Sequence, residues 1–404
     1  GATIRVPVQG PSTITVNACY QYSLKVGDEV IGDVNTGSTS QIDALTYDYA
    51  GTAGYVEISV TGTSYINSIS VAEKVDYVAT ITVGADKDYQ TINDALAVVR
   101  KMTRTADQGV TIMIDPGNYE EMLKIDVPRI TLRNAAATPS IALRNKGVDI
   151  DDNAVRITSY YGHDYNYYSQ DANGFWNARV LAVNKDNEEY TRENQCGGAD
   201  FWNSTVVVTS TDFAAYDIIF ENSFNQYISA KEANDVVVLQ AGSTKPVRPT
   251  TAGDVTVQQR NYRERACALG FSKTADRGYL ENCRIIGRQD ALYGDGGARL
   301  AIKGGVLMGA CDYIMGGMTL ACYQTDLAMN TTDDSNDVTY ITAAKQSAGQ
   351  RGYIFYECNV TTAEPLTETA TEHGSKPGYW GRPWDSNGEA IFYHCNVEET
   401  TCPN

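Results

Sequence analysis

Apolar side chains fall at every second position in TITVNACYQYSLKV and again in GYVEISVTGTSYINSISV, with Val56, Ile58 and Val60 as a clear run. A period of two puts alternate side chains on opposite faces of a strand, one buried and one wet. Breaks rich in Gly, Ser and Asp, such as IGDVNTGSTS, separate these runs. Residues 1–76 are therefore expected to form a small β-sandwich of about six to eight short strands. Either a carbohydrate-binding accessory domain or a plain spacer fits that pattern.

The pattern changes at residue 77. ITVGADKDYQTINDALAVVRKM passes from a strand into the strongest helical period of the chain, in which Ile92, Ala95, Leu96 and Val99 form one apolar stripe. Thr91 with Asp94 three residues later resembles a capping box. TIMIDPGNYEE then reads as a strand closed by a Pro-Gly turn, and short strands continue to the carboxy terminus. YLENCRIIG, LACYQTDLA, YIFYECNVTT and AIFYHCNVEE repeat one pattern at intervals of about 20 to 40 residues, the mark of a solenoid whose coils bury their faces against each other. Residues 77–404 are expected to form a parallel β-helix, with the helix near 91–101 capping its first open edge. Two stretches interrupt the rhythm, 160–203 with its YYGHDYNYYSQDANGFWN run and 229–262. Their length suits functional walls, and the aromatics suit either sugar stacking or packing on the solenoid.

Composition narrows the chemistry. Tyr (27) and Gly (35) are plentiful, which favours strands and turns. A net charge of −18 over 404 residues repels nucleic acid and anionic membranes, so neither is expected as a partner. No run of eighteen apolar residues occurs, and Gly1 is not preceded by a leader, so a soluble, secreted chain whose signal peptide has been removed is expected, acting as a monomer. The nine cysteines form no CxxC cluster. Cys283, Cys322, Cys358 and Cys395 lie in or beside apolar runs, where buried free thiols are expected.

The three histidines, His163, His373 and His394, match neither HExxH nor a GxSxG elbow, so a Ser-His-Asp esterase and a zinc hydrolase are both disfavoured. Polar groups flanked by apolar strand residues are costly without partners. Three such places stand out: Gln289 and Asp290 in GRQDALYG, Asp312 in CDYIMGG, and Arg382 and Trp384 in GYWGRPW. Asp290 and Asp312 are 22 residues apart, about one solenoid coil, which would set them side by side. Any one of the three motifs alone is better read as a turn aspartate or a surface arginine.

Together they resemble the pectin methylesterases, carbohydrate esterase family 8. The family's QDTLY appears as QDALY, its DFIFG as DYIMGG and its LGRPW as WGRPW, in the family's order. DYQTINDAL, PGNYEE, DIIFENS and ITAAKQ add weaker likenesses, and together they cover residues 77 to 404. The resemblance implies an all-β, right-handed parallel β-helix that hydrolyses the methyl esters of polygalacturonate and needs no metal or other cofactor. It implies Asp312 as nucleophile held by Arg382, Asp290 as general acid and then base, and Gln289 as donor to the oxyanion. Trp384 is placed to stack on a sugar ring, with Trp380 or Tyr313 extending the platform. One departure matters. Where the family opens a QAVAL segment with a second oxyanion glutamine, this chain has RACAL with Arg265. Arg265 could fill that role, or Gln258 or Gln259 could reach in. A pectin lyase or galacturonase and a non-catalytic pectin-binding solenoid are the competing readings.

Overall fold

The computed structural model describes residues 2–162, 180, 183, 203–235, 248–259, 265–330, 339–368 and 378–398. They form two compact units, Gly1–Val78 with Ala97–Gln108, and Ala79–Leu96 with Gly109–Asn404.

In the first unit five strands make one antiparallel sheet: Ala2–Val8, Ser12–Val26, Glu29–Asn35, Ile42–Tyr49 and Gly54–Glu73. Ser12–Val26 pairs along its whole length with Gly54–Glu73, while its other edge carries first Ile42–Tyr49 and then Glu29–Asn35. Val6, Ile14, Val16, Leu24, Ile58 and Val60 fill one shared core, the buried half of the two-residue alternation. The expected sandwich of short strands is thus five strands of a single sheet, two of them 15 and 20 residues long. The physical reason is the register shift at Asn17/Ala18, beside Ala18 and Cys19 that are both buried. A bulge lets a strand bend and change phase without ending.

The second unit is a right-handed parallel β-helix of three sheets with nine, eight and seven strands. Each inward position becomes a column running through the coils. Ile81, Ile112, Leu132, Ala215, Leu280, Ile302, Cys322, Phe355 and Phe392 stack in register in the nine-stranded sheet. Tyr119, Ile157, Phe220, Ile285, Leu307, Leu327 and Val360 do so in the eight-stranded sheet. Such a core is generated by repetition, since a coil buries its apolar face only against the coils above and below.

The four repeated segments mark the corner between the nine- and eight-stranded sheets in four of the coils. Asn282, Gln324, Glu357 and His394 occupy equivalent positions there with φ of 51°, 51°, 53° and 53°. That left-handed residue swings the chain from one sheet into the next within a single position. The next residue in three of the four cases is the cysteine of the motif. Cys283, Cys322 and Cys358 are buried free thiols, and Cys395 is half-buried and free.

The helix Ile92–Lys101 forms as its pattern predicts. Thr91 Oγ1 accepts from the Asp94 N–H at 3.1 Å and donates to Asp94 Oδ2 at 2.6 Å, and Ile92, Ala95, Leu96 and Val99 are buried. A further acid reaches its first turn from outside: Glu121 accepts from the N–H groups of Ile92 at 3.0 Å and Asn93 at 3.1 Å. A carboxylate at that end satisfies orphan donors and complements the helix dipole.

Candidate active site

The three motifs of the sequence converge where the chain enters the seven-stranded sheet. Leu292 pairs with Leu269 on one side and Ile314 on the other, so the 22-residue spacing of the two aspartates is one coil. Two positions before Leu292 and Ile314 lie Asp290 and Asp312, on neighbouring coils, in keeping with the bridge between Gln289 and Cys311. Ile314 pairs with Thr342, which extends this column to Tyr340, and Tyr340 pairs with Tyr379. Asp290 and Asp312 share a left-handed backbone, φ 59° and 51°. Aspartate tolerates that region better than most residues, and here it turns the chain into the sheet. Both carboxylates are 1% exposed.

Arg382 lies on Gly378–Pro383, in register with Ala343, and reaches back over that small residue to Asp312. Its Nε donates to Oδ1 at 2.8 Å and its Nη2 to Oδ2 at 2.5 Å. This side-on, two-point pairing fixes the plane of the carboxylate as well as its charge. The bond to Asp312 raises the arginine above its ordinary pKa. Nη2 also contacts Cys311 Sγ at 3.6 Å. The guanidinium carbon lies 4.6 Å from the Tyr340 ring centre and 5.6 Å from that of Trp384.

Two motif glycines are required by this packing. Gly316 has φ 111°, and a Cβ there would sit 2.1 Å from Gly294 O of the coil below. Gly381, next to Arg382, would place a Cβ 2.0 Å from Thr342 Oγ1, the hydroxyl that donates to Trp380 O at 3.0 Å. Either side chain would push apart the strands that carry the two halves of the ion pair.

The neighbouring column carries the expected donors. Arg265, Gln289 and Cys311 follow one another in parallel bridges, so Arg265 lies one coil before Gln289. Gln289 is half-buried, and its side-chain oxygen is buried without a partner among the described residues. Arg265 is half-buried, and its carbonyl accepts from Asn203 Nδ2 at 2.9 Å. Gln258 is removed from the candidates: it is 1% exposed and its Nε2 donates to Lys146 O and Gln226 O.

Of the three aromatics expected to meet sugar, Trp384 (49% exposed) and Trp380 (40%) are accessible, Trp380 with its ring tilted against Phe392 at 4.7 Å. Tyr313 is not: it is fully buried, and its Cβ comes within 2.3 Å of where a side chain at Gly309 would begin. The reason is the left-handed turn at Asp312, after which the next side chain points into the solenoid. A shallow cavity of about 270 Å³ opens beside the pair, lined by Thr342, Trp380, Arg382, Pro383 and Phe392 among others. The aromatic run from His163 onward lies outside the described residues. Sequence reading missed Tyr340 and Cys311, which only the coil register brings to the aspartates. Among the described residues no three His, Cys, Asp or Glu side chains group as a metal site, and no helix is long and apolar enough to cross a membrane.

Residues 240–404 match the family model described as Pectinesterase. "Probable pectinesterase A" of Aspergillus niger is 24% identical over 80% of this chain and 71% of its own length. "Probable pectinesterase/pectinesterase inhibitor 64" of Arabidopsis thaliana is 24% identical over 38% of this chain, and the matched part spans 26% of that longer protein. In fold, the chain is similar to a pectin methylesterase solved in complex with a hexasaccharide, with TM-score 0.53, 19% identity and coverage of 79% and 80% of the two chains. The rice weevil pectin methyl esterase superposes with TM-score 0.54 and 17% identity over 79% of this chain and 77% of that one. The family model falls on the stretch that carries QDALY, DYIMGG and WGRPW, and the comparisons together support a protein of the pectinesterase family.

Proposed function

We propose that this chain is a secreted, monomeric pectin methylesterase that converts the C6 methyl esters of polygalacturonate to pectate and methanol. The observation that carries the reading is the two-point Arg382–Asp312 pair set one coil from a second buried aspartate, Asp290. Names borne by the relatives, pectinesterases throughout, support the substrate class.

Ester hydrolysis needs a nucleophile, a proton for the leaving alkoxide and donors for the developing oxyanion. Two neighbouring carboxylates can divide the first two tasks when their surroundings differ. The guanidinium forms its two-point pair with Asp312, the nucleophile of this reaction, and Asp290 one coil away serves as the proton donor. An Asp312 oxygen attacks the ester carbonyl carbon, and the carbonyl oxygen takes up the negative charge beside the Gln289 and Arg265 column. Collapse breaks the bond to the methoxy oxygen, which takes the Asp290 proton and leaves as methanol. Asp290 then accepts a proton from water as that water attacks the acyl-enzyme, and Asp312 is released. Trp384 and Trp380 flank the site as stacking surfaces for the polymer.

The test is an assay on highly esterified pectin for methanol and for unsaturated uronide. Methanol without unsaturated ends is the expected result. Unsaturated product would indicate a lyase, and pectin binding without either product a non-catalytic solenoid.

A further inference from the structure

We propose that Tyr340 is a positioning residue of this reaction, the fixed floor on which Arg382 is held in line with Asp312. The proposal rests on the esterase reading above and deepens it. Arg382 is 40% exposed, and an ion pair open to water on one side holds its geometry weakly. Its edge is engaged by Asp312 and Cys311, which leaves the faces of the guanidinium to fix its tilt. Trp384, itself half exposed and 5.6 Å away, is a poor anchor for that purpose. Tyr340 is closer at 4.6 Å and is itself tied down. Its N–H donates to Ala310 O at 2.9 Å, its carbonyl accepts from Tyr313 N at 3.4 Å, and its ring stacks on Tyr379 at 5.3 Å with planes 18° apart.

The position of Tyr340 in the ladder gives the contact its meaning. It is the next rung after Asp312 in the column Asp290, Asp312, Tyr340. The nucleophile therefore has an acid on one side and, on the other, an aromatic face that carries a cation. One column thus makes the two aspartates unlike, with Tyr340 acting through Arg382 and not on the substrate.

The experiment compares wild type, Tyr340→Phe and Tyr340→Leu for methanol release and thermal unfolding. Arg382 is followed by its Nε–H signal in protein carrying ¹⁵N-arginine. The phenylalanine variant keeps the aromatic face and is expected within about twofold of wild type, with the Arg382 signal unchanged. The leucine variant is expected to lose about tenfold in kcat with KM within about twofold, and to lose the protected Nε–H signal. Wild-type kcat in the leucine variant overturns the proposal. So does a phenylalanine variant as impaired as leucine, or a fall in kcat with the Arg382 signal retained. Should leucine prevent folding, Tyr340→Met, unbranched and apolar, takes its place with the same expectations. Failure of wild type to release methanol defeats the esterase reading instead, and the Nε–H comparison still decides whether Tyr340 holds the arginine.

Discussion

Asp290 and Asp312 occupy the same rung position on consecutive coils with the same left-handed backbone, and Arg382 closes on Asp312 through both carboxylate oxygens. Two identical side chains in nearly identical backbone settings are thereby given different surroundings. That difference suits the proposed division of labour, in which one acid attacks and the other delivers a proton.

Asp312→Asn should abolish methanol release while leaving the fold intact, because an amide of the same shape does not attack an ester. Far-ultraviolet circular dichroism and the thermal midpoint report on the fold. Activity above a few per cent of wild type, in protein checked by mass spectrometry for reversion to aspartate, would take Asp312 out of the nucleophile role.

Hydrolysis should proceed unchanged in excess EDTA, because two carboxylates with an arginine supply nucleophile, proton and charge stabilisation without a Lewis acid. The measurement is the initial rate on esterified pectin with and without chelator. Loss of rate restored by calcium would contradict it and point to a metal-dependent pectin lyase.

Much of the site was legible because a solenoid turns spacing into proximity. The 22 residues between Asp290 and Asp312 equal one coil, so sequence distance alone set them side by side. The same logic fails where a coil is longer. Tyr340 is 28 residues beyond Asp312, and only the pairing of Ile314 with Thr342 brings it to the next rung. Tyr313 was offered as a stacking surface for its place beside Asp312 in the motif, but it follows a left-handed residue and is buried. In the first unit the run TITVNACYQYSLKV is one strand, Ser12–Val26, continuous through a bulge at Asn17/Ala18.

A pH dependence of stability follows from Glu232. It is 1% exposed and accepts from Arg248 Nε at 2.8 Å, yet burial outweighs the arginine and raises its pKa from 4.5 to about 6. The folded protein therefore keeps this proton up to about pH 6, whereas the unfolded chain releases it near 4.5. The group's favourable contribution is full below 4.5 and is lost as pH rises through 6. Glu232→Gln should flatten this part of the stability–pH curve. It should also lower stability near pH 7 by about 2 kcal/mol, because buried Arg248 exchanges a charged partner for a neutral one. Urea unfolding at pH 4.5, 5.5 and 6.5 measures both effects, and an unchanged slope in the variant assigns the pH dependence elsewhere.

Arg265 stands where the family has a second oxyanion glutamine, one coil before Gln289. A guanidinium at that rung can donate to a developing oxyanion at least as strongly as an amide, since the interaction is charge-assisted. The cost of removing such a donor elsewhere is on the order of 10²-fold in kcat. Arg265→Ala should therefore lower kcat by about that factor while changing KM much less, because the oxyanion exists in the transition state and not in the bound ester. Gln258 cannot compensate, its amide being committed to Lys146 O and Gln226 O. Arg265→Gln should recover much of the loss, because a glutamine returned to this rung sits beside Gln289 as the family's pair does. The alternative is an arginine directed to solvent, where an exposed charge contributes little and the alanine variant would turn over at the wild-type rate. Steady-state kinetics of the two variants on esterified pectin separate these outcomes, and a near wild-type kcat for Arg265→Ala ends the oxyanion assignment.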